Sequence, residues 1–66
     1  MDIITDVINY LEKHNVVYTK TLYKALKVKA LYNVSQNEFR NLLYNMQEVG
    51  MIQTTLYNGY SAWRLK

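Results

Sequence analysis

The sequence predicts a single α+β domain in which three helices pack against a small sheet that ends in a C-terminal β-hairpin. Three observations support this fold class. Apolar residues recur at helical spacing near both ends of the helical region, the apolar period changes from 3.6 to 2 after Gly50, and Asn58-Gly59 separates two alternating segments. Sixty-six residues, half of them hydrophobic, indicate one folded domain, which we place at 1–66.

The first predicted helix covers about residues 2–14. Lys13 and His14 lie in its last turn, where positive charge complements the helix dipole. Asn15 can then end the helix in a left-handed conformation. The apolar residues occupy one stripe of an amphipathic helix, with the spacing i, i+3, i+4, i+7: Ile4, Val7, Ile8 and Leu11.

Residues 16–31 predict a short strand followed by a second helix. Val16-Val17-Tyr18 is rich in β-branched and aromatic residues and is long enough for one edge strand. Thr19 offers an N-cap for a helix over about 19–31. Its apolar stripe consists of Leu22, Ala25 and Leu26. Its lysines recur at i, i+4, i+7 and predict a row of positive charge along one helix: Lys20, Lys24 and Lys27.

The third predicted helix, over about 35–49, has a start and a stop signal. Ser35 and Glu38 have the spacing of a capping box, in which each side chain bonds the other residue's backbone N–H. Gly50 supplies the stop. The apolar stripe again follows i, i+3, i+4, i+7: Phe39, Leu42, Leu43 and Met46.

The segment 51–66 predicts a hairpin around a two-residue type I′ turn at Asn58-Gly59. This turn pairs Tyr57 with Tyr60 and fixes which side chains share a face. We expect one face to cover the helices, with Trp63 in the core: Ile52, Thr54, Leu56, Ser61, Trp63 and Leu65. The other face is free for water or a ligand: Gln53, Thr55, Tyr57, Tyr60, Ala62 and Arg64.

This order of elements, together with residues 38–52 and the closing Ala62-Trp63-Arg64-Leu65, resembles small prokaryotic and viral winged helix-turn-helix proteins. The resemblance covers nearly the whole chain. It implies a DNA-binding domain in which helix 35–49 is the recognition helix and the hairpin is the wing. By analogy, it also implies a phage, archaeal virus or plasmid origin.

Within that superfamily, Leu43-Tyr44 and Trp63 are similar to the Z-alpha domains, which bind left-handed nucleic acid. That family has an asparagine four residues before the tyrosine, where this chain has Arg40 and places Asn41 one position later. Tyr60 and Ser61 replace the prolines that precede the family's tryptophan. This resemblance implies Z-form binding as an alternative to B-form duplex.

The charge and the polar residues predict specific DNA contacts. The net charge is +3, and the segment from Lys13 to Lys29 carries five lysines and no acid. Arginine forks onto guanine, and asparagine and glutamine pair with adenine. We expect base contacts from the exposed side of the third helix: Gln36, Asn37, Arg40, Asn41 and Tyr44. Backbone contacts are expected from Lys20, Lys24, Lys27, Ser35, Gln47, Tyr57, Tyr60 and Arg64.

The expected function is sequence-specific binding of double-stranded DNA by a transcriptional regulator. A homodimer would supply the second half-site, with the first helix and the tyrosines as its interface. The alternative from another class is a protein-interaction module with a tyrosine-rich surface: Tyr23, Tyr32, Tyr44, Tyr57 and Tyr60.

The composition excludes several other function classes. With no cysteine, one histidine and no glycine-rich phosphate loop, we expect no catalysis, no metal, no cofactor and no small-molecule substrate. No apolar run approaches the roughly 18 residues of a membrane span. The expected location is therefore the cytoplasm, at the nucleoid or, for a viral protein, in the host.

Overall fold

The computed structural model describes residues 2–66 and confirms the α+β class. Within these residues, four helices span Ile3–His14 (α1), Thr19–Ala25 (α2), Val28–Tyr32 (α3) and Gln36–Glu48 (α4). Three strands, Val17–Tyr18 (β1), Ile52–Tyr57 (β2) and Tyr60–Leu65 (β3), form an antiparallel sheet in the order β1-β3-β2. This arrangement is compatible with a winged-helix layout.

The core lies where the helices meet the sheet. Val7 and Leu11 of α1 are buried, as their helical spacing predicts, and they share the core with Phe39, Leu43 and other apolar residues. Asp2 is the N-cap of α1, because its carboxylate accepts a hydrogen bond from the Ile4 backbone N–H at 3.2 Å. The helix therefore starts one residue later than predicted.

The single helix predicted over 19–31 is wrong, because the chain breaks it into α2 and α3. Lys27 adopts a left-handed conformation (φ 51°, ψ 45°) between them. In a continuous helix, Leu22 and Val28 would point roughly 120° apart. The break lets both side chains reach the core, where each is fully buried. Burial of Val28 thus outweighs the strain of a non-glycine residue at positive φ.

The break at Lys27 changes three predictions for residues 19–31. Lys27 lies on the turn, so the lysine row on one helix reduces to Lys20 and Lys24 on α2. Ala25 is exposed and lies outside the apolar stripe. Thr19 is the first helical residue, Tyr18 is the N-cap, and no side chain caps this helix. The Thr19 hydroxyl instead accepts a hydrogen bond from the indole N–H of Trp63.

Helix α4 follows the sequence prediction closely. The Ser35 hydroxyl accepts from the Glu38 N–H at 3.2 Å, and the Glu38 carboxylate accepts from the Ser35 N–H at 3.0 Å. The hydrogen bonds from the Ser35 backbone and side chain lower the pKa of Glu38. At the other end, Gly50 (φ 83°) donates to Gln47 and Met51 donates to Met46, which completes a Schellman motif.

The hairpin has the predicted register from Tyr57↔Tyr60 to Ile52↔Leu65. Asn58 (φ 52°) and Gly59 (φ 81°) both have positive φ, as a type I′ turn requires. The predicted division of the faces fails at two apolar positions, and Thr54 and Ser61 on the face predicted to cover the helices are also exposed. Leu56 is 76% exposed, because the tip of the hairpin extends past the helices. Ala62 is buried, because Tyr18 of the neighbouring strand pairs with it on the face predicted to be open.

Two of the tyrosines predicted to lie in a surface patch, Tyr23 and Tyr32, make hydrogen bonds within the fold. The Tyr23 hydroxyl donates to the Val34 carbonyl at 2.7 Å, and its ring packs against Phe39. The Tyr32 hydroxyl donates to the Asp6 carboxylate and so ties α3 to α1. The tyrosine-rich surface is therefore smaller than expected, since both residues are half-buried.

The bond to Asp6 makes stability depend on pH. This hydrogen bond, together with burial and the charges of Asp6 and Asp2, raises the pKa of Tyr32 from 10.0 to about 12. Folding therefore favours the protonated phenol, and this stabilisation is complete below about pH 10 and is lost as the pH rises through about 12.

We expect Tyr32→Phe to be less stable than the parent at neutral pH, because it lacks the bond to Asp6. The two unfolding free energies should converge between about pH 10 and pH 12, as the parent protein loses its advantage. Urea unfolding from neutral pH to about pH 12 measures this difference. A difference that stayed constant over that range would contradict the assignment.

Candidate nucleic-acid interface

A surface cleft of about 730 Å³ opens between α2, α4 and the hairpin. Gln36, Arg40 and Tyr44 are spaced four residues apart and therefore line one side of α4. Lys20 and Lys24 have the same spacing on α2. The remaining lining residues come from the start of α2 and from β1 and β3: Tyr18, Thr19, Thr21, Tyr60, Ser61 and Trp63.

The cleft is positively charged. Lys20, Lys24 and Arg40 line it with their side chains exposed, and none of the described residues that line it is acidic. Three cations around one concave surface attract an anion more strongly than the modest net charge of +3 suggests. The charges also lie beside hydroxyl and amide groups, which can donate hydrogen bonds to phosphate oxygens.

Trp63 supports the floor of the cleft. Its ring is 2% exposed, as predicted for a core residue. The indole N–H donates to the Thr19 hydroxyl at 2.7 Å and so joins β3 to the first residue of α2. Tyr44 packs edge-on against Trp63, with ring centroids 5.2 Å apart and an interplanar angle of 76°. These contacts hold Tyr44 at the surface in a defined orientation.

A second group of aromatic rings lies at the hairpin end of the cleft. The Tyr18 hydroxyl donates to the Tyr57 carbonyl at 3.1 Å, which joins β1 to the tip of the hairpin. The Tyr18 ring then packs against Tyr57 at 5.9 Å and edge-on against Tyr60 at 6.2 Å. Tyr60 remains 70% exposed at the rim of the cleft.

The structure brings together only some of the predicted contact residues. Those that line the cleft are Gln36, Arg40, Tyr44, Lys20, Lys24 and Tyr60. Those outside its lining are Asn37, Asn41, Lys27, Ser35, Gln47, Tyr57 and Arg64.

Several residues outside the cleft have other partners or positions. The Gln47 side-chain oxygen accepts hydrogen bonds from the Thr54 N–H, at 2.8 Å, and from the Thr54 hydroxyl, so it joins α4 to β2. Ser35 caps α4. Arg64 lies in a separate hollow with Glu12 of α1. Asn37 and Asn41 are exposed on α4. Each follows a cleft residue in the chain, Gln36 or Arg40, and therefore points about 100° away from it around the helix.

Sequence reasoning missed the contribution of β1 and of Thr19, the first residue of α2, to this site. Tyr18 and Thr19 line the cleft because β1 pairs with β3, with Val17 opposite Trp63 and Tyr18 opposite Ala62. A two-residue strand has no pattern that reveals its partner. The one available signal was Trp63, whose buried N–H requires a hydrogen-bond acceptor.

Within residues 2–66, no three histidine, cysteine, aspartate or glutamate side chains come close enough together to hold a metal ion. None of the helices there has the length and apolar character needed to span a membrane. Comparisons with protein-family models, curated proteins and solved structures found no match to the chain.

Proposed function

We propose that this chain is a winged-helix protein that binds double-stranded DNA in a sequence-specific manner and regulates transcription. The observation that carries the proposal is the convergence of Lys20, Lys24 and Arg40 on one acid-free cleft beside α4. The exposed side chains of such a helix can contact bases, and the cations beside it can bind phosphates.

Helix α4 is the proposed reading element in the major groove. Arg40, Asn37 and Asn41 are exposed in its first half, which is the part of a recognition helix that meets base edges. An arginine bonded to guanine, or an asparagine bonded to adenine, discriminates against other bases by about 1–3 kcal/mol. Lys20 and Lys24 on α2 bind phosphates across the cleft and set the position of α4 on the duplex.

The regulator acts as a homodimer in this proposal. A single α4 of thirteen residues reads only a few base pairs, and two copies would read half-sites about one DNA turn apart. Sedimentation with and without a palindromic duplex tests this part, and a complex that contains one copy per duplex would contradict it.

A salt titration tests the proposed function. On a random-sequence duplex Arg40 has no specific guanine to bind and contacts a phosphate, as Lys20 and Lys24 do. Three phosphate contacts give a slope of about −2.7 for the logarithm of the binding constant against the logarithm of salt concentration. We expect fluorescence anisotropy with a labelled random-sequence duplex to show a slope of this size. Binding that is undetectable at low salt, or that does not weaken as salt rises, would contradict DNA binding and favour the protein-interaction alternative.

One observation favours Z-form nucleic acid as a second candidate. Tyr44 and Trp63, which carry the resemblance to Z-alpha domains, pack against each other at the cleft. Titration of the protein into an alternating CG duplex, followed by circular dichroism, separates the two candidates. Inversion of the spectrum would support the Z-form candidate, and an unchanged B-form spectrum with bound protein would exclude it.

A further inference from the structure

Two exposed aromatic rings line the same cleft from different elements. Tyr44 of α4 is 47% exposed, and Tyr60 of β3 is 70% exposed. A tyrosine hydroxyl can contact a phosphate, but an exposed tyrosine ring also offers a flat apolar face that contacts to a duplex backbone do not use. Aromatic rings beside cations are typical of surfaces on which individual bases stack.

Each of these rings is held in place by a more buried aromatic ring, which itself makes a hydrogen bond. Tyr44 packs edge-on against Trp63, whose indole N–H is bonded to Thr19. Tyr60 packs edge-on against Tyr18, whose hydroxyl is bonded to the Tyr57 carbonyl. The rings are therefore positioned before a ligand arrives, which lowers the entropy cost of stacking on them.

The chemistry of the cleft fits one nucleotide with its adjoining phosphates. Its volume of about 730 Å³ lies within the range of sites for small molecules. Lys20, Lys24 and Arg40 supply positive charge for the phosphates. In an intact duplex, the faces of the bases are covered by their neighbours, so a tyrosine ring can stack only on a base that has left the helix or belongs to a single strand.

We propose that this cleft binds an unstacked nucleobase, which stacks on Tyr60 while its flanking phosphates contact Lys20, Lys24 and Arg40. This inference rests on the proposed binding of nucleic acid and adds which form of it enters the cleft. The unstacked base comes either from a single strand or from a base displaced out of a duplex, and the two sources offer the same ring face and phosphates.

Three fluorescent probes test the inference at one salt concentration: a perfect duplex, the same duplex with one unpaired thymine, and a single-stranded oligothymidine. We expect at least one probe with an accessible base to bind about tenfold more tightly than the perfect duplex. Tight binding of oligothymidine identifies a single strand as the source, and tight binding of the bulged duplex alone identifies a displaced base. Equal affinity for all three would overturn this inference and leave DNA binding intact, whereas no binding of any probe would overturn both.

Variants at Tyr60 identify the stacking ring. Tyr60→Leu should lower the affinity for the preferred probe about tenfold more than it lowers the affinity for the perfect duplex, because only the preferred probe loses a stacked base. Tyr60→Phe keeps the ring and should retain the preference. Leu56→Ala is the matched control, since Leu56 is an exposed apolar side chain of the same hairpin that does not line the cleft. An equal loss for both probes in Tyr60→Leu, or loss of the preference in Leu56→Ala, would overturn the assignment.

Discussion

Replacing Lys20, Lys24 and Arg40 together with glutamine is expected to lower the affinity for duplex DNA roughly 100- to 1,000-fold at about 0.1 M salt. All three line the cleft and are exposed, so glutamine keeps the fold and removes only charge. Each phosphate contact contributes about −0.9 to the salt slope, so the slope should fall from about −2.7 towards zero. Fluorescence anisotropy at several salt concentrations measures both quantities.

A charge-matched variant distinguishes the effect of charge in the cleft on affinity from the effect of the total net charge. Replacing Lys13, Lys29 and Lys66 with glutamine also removes three positive charges, which takes the net charge from +3 to 0. These lysines are exposed and do not line the cleft. We expect this variant to keep most of the affinity and the salt slope. If the two triple variants lost affinity equally, binding would depend on total charge and the proposed interface would be wrong.

Replacing Trp63 with alanine is expected to remove most of the stability of the fold. Truncating a buried tryptophan costs about 3–5 kcal/mol. A 66-residue domain has only about 3–10 kcal/mol in total. The expected decrease in melting temperature is roughly 12–40 °C, because each kcal/mol shifts a domain of this size by about 4–8 °C. Thermal unfolding followed by far-ultraviolet circular dichroism measures the change.

One further variant tests the hydrogen bond of Trp63, and a second serves as a control at an exposed position. Thr19→Val leaves the buried indole N–H without its acceptor and should cost about 1–3 kcal/mol. Leu56→Ala removes a large apolar side chain that is 76% exposed, so it should change stability by no more than about 0.5 kcal/mol. A Trp63→Ala protein that melted close to the parent, or a Leu56→Ala protein that melted as low, would contradict the packing described here.

The candidate site was only partly predictable. The exposed side of α4 followed from its apolar stripe, and the position of Lys20 and Lys24 on one side of a helix followed from their spacing. The division of that side into residues within the cleft, such as Arg40, and residues outside it, such as Asn37, depends on where α2 crosses α4. That crossing depends in turn on the break at Lys27, and the sequence has no proline or glycine there that would predict a break.

The sequence by itself determined α1, α4 and the hairpin, because their signals are local. Each signal involves only a few neighbouring residues: the capping box at Ser35, the stop at Gly50 and the Asn58-Gly59 turn. Between these signals, the helical or alternating spacing of apolar residues identifies the helix or strand. Only the tertiary structure decided the break at Lys27, the bond from Trp63 to Thr19 and the burial of Ala62 beside Tyr18 of β1. These features arise from contacts between residues far apart in the chain, where the free energy gained by burying Val28 and satisfying an indole N–H exceeds the local preference for one continuous helix.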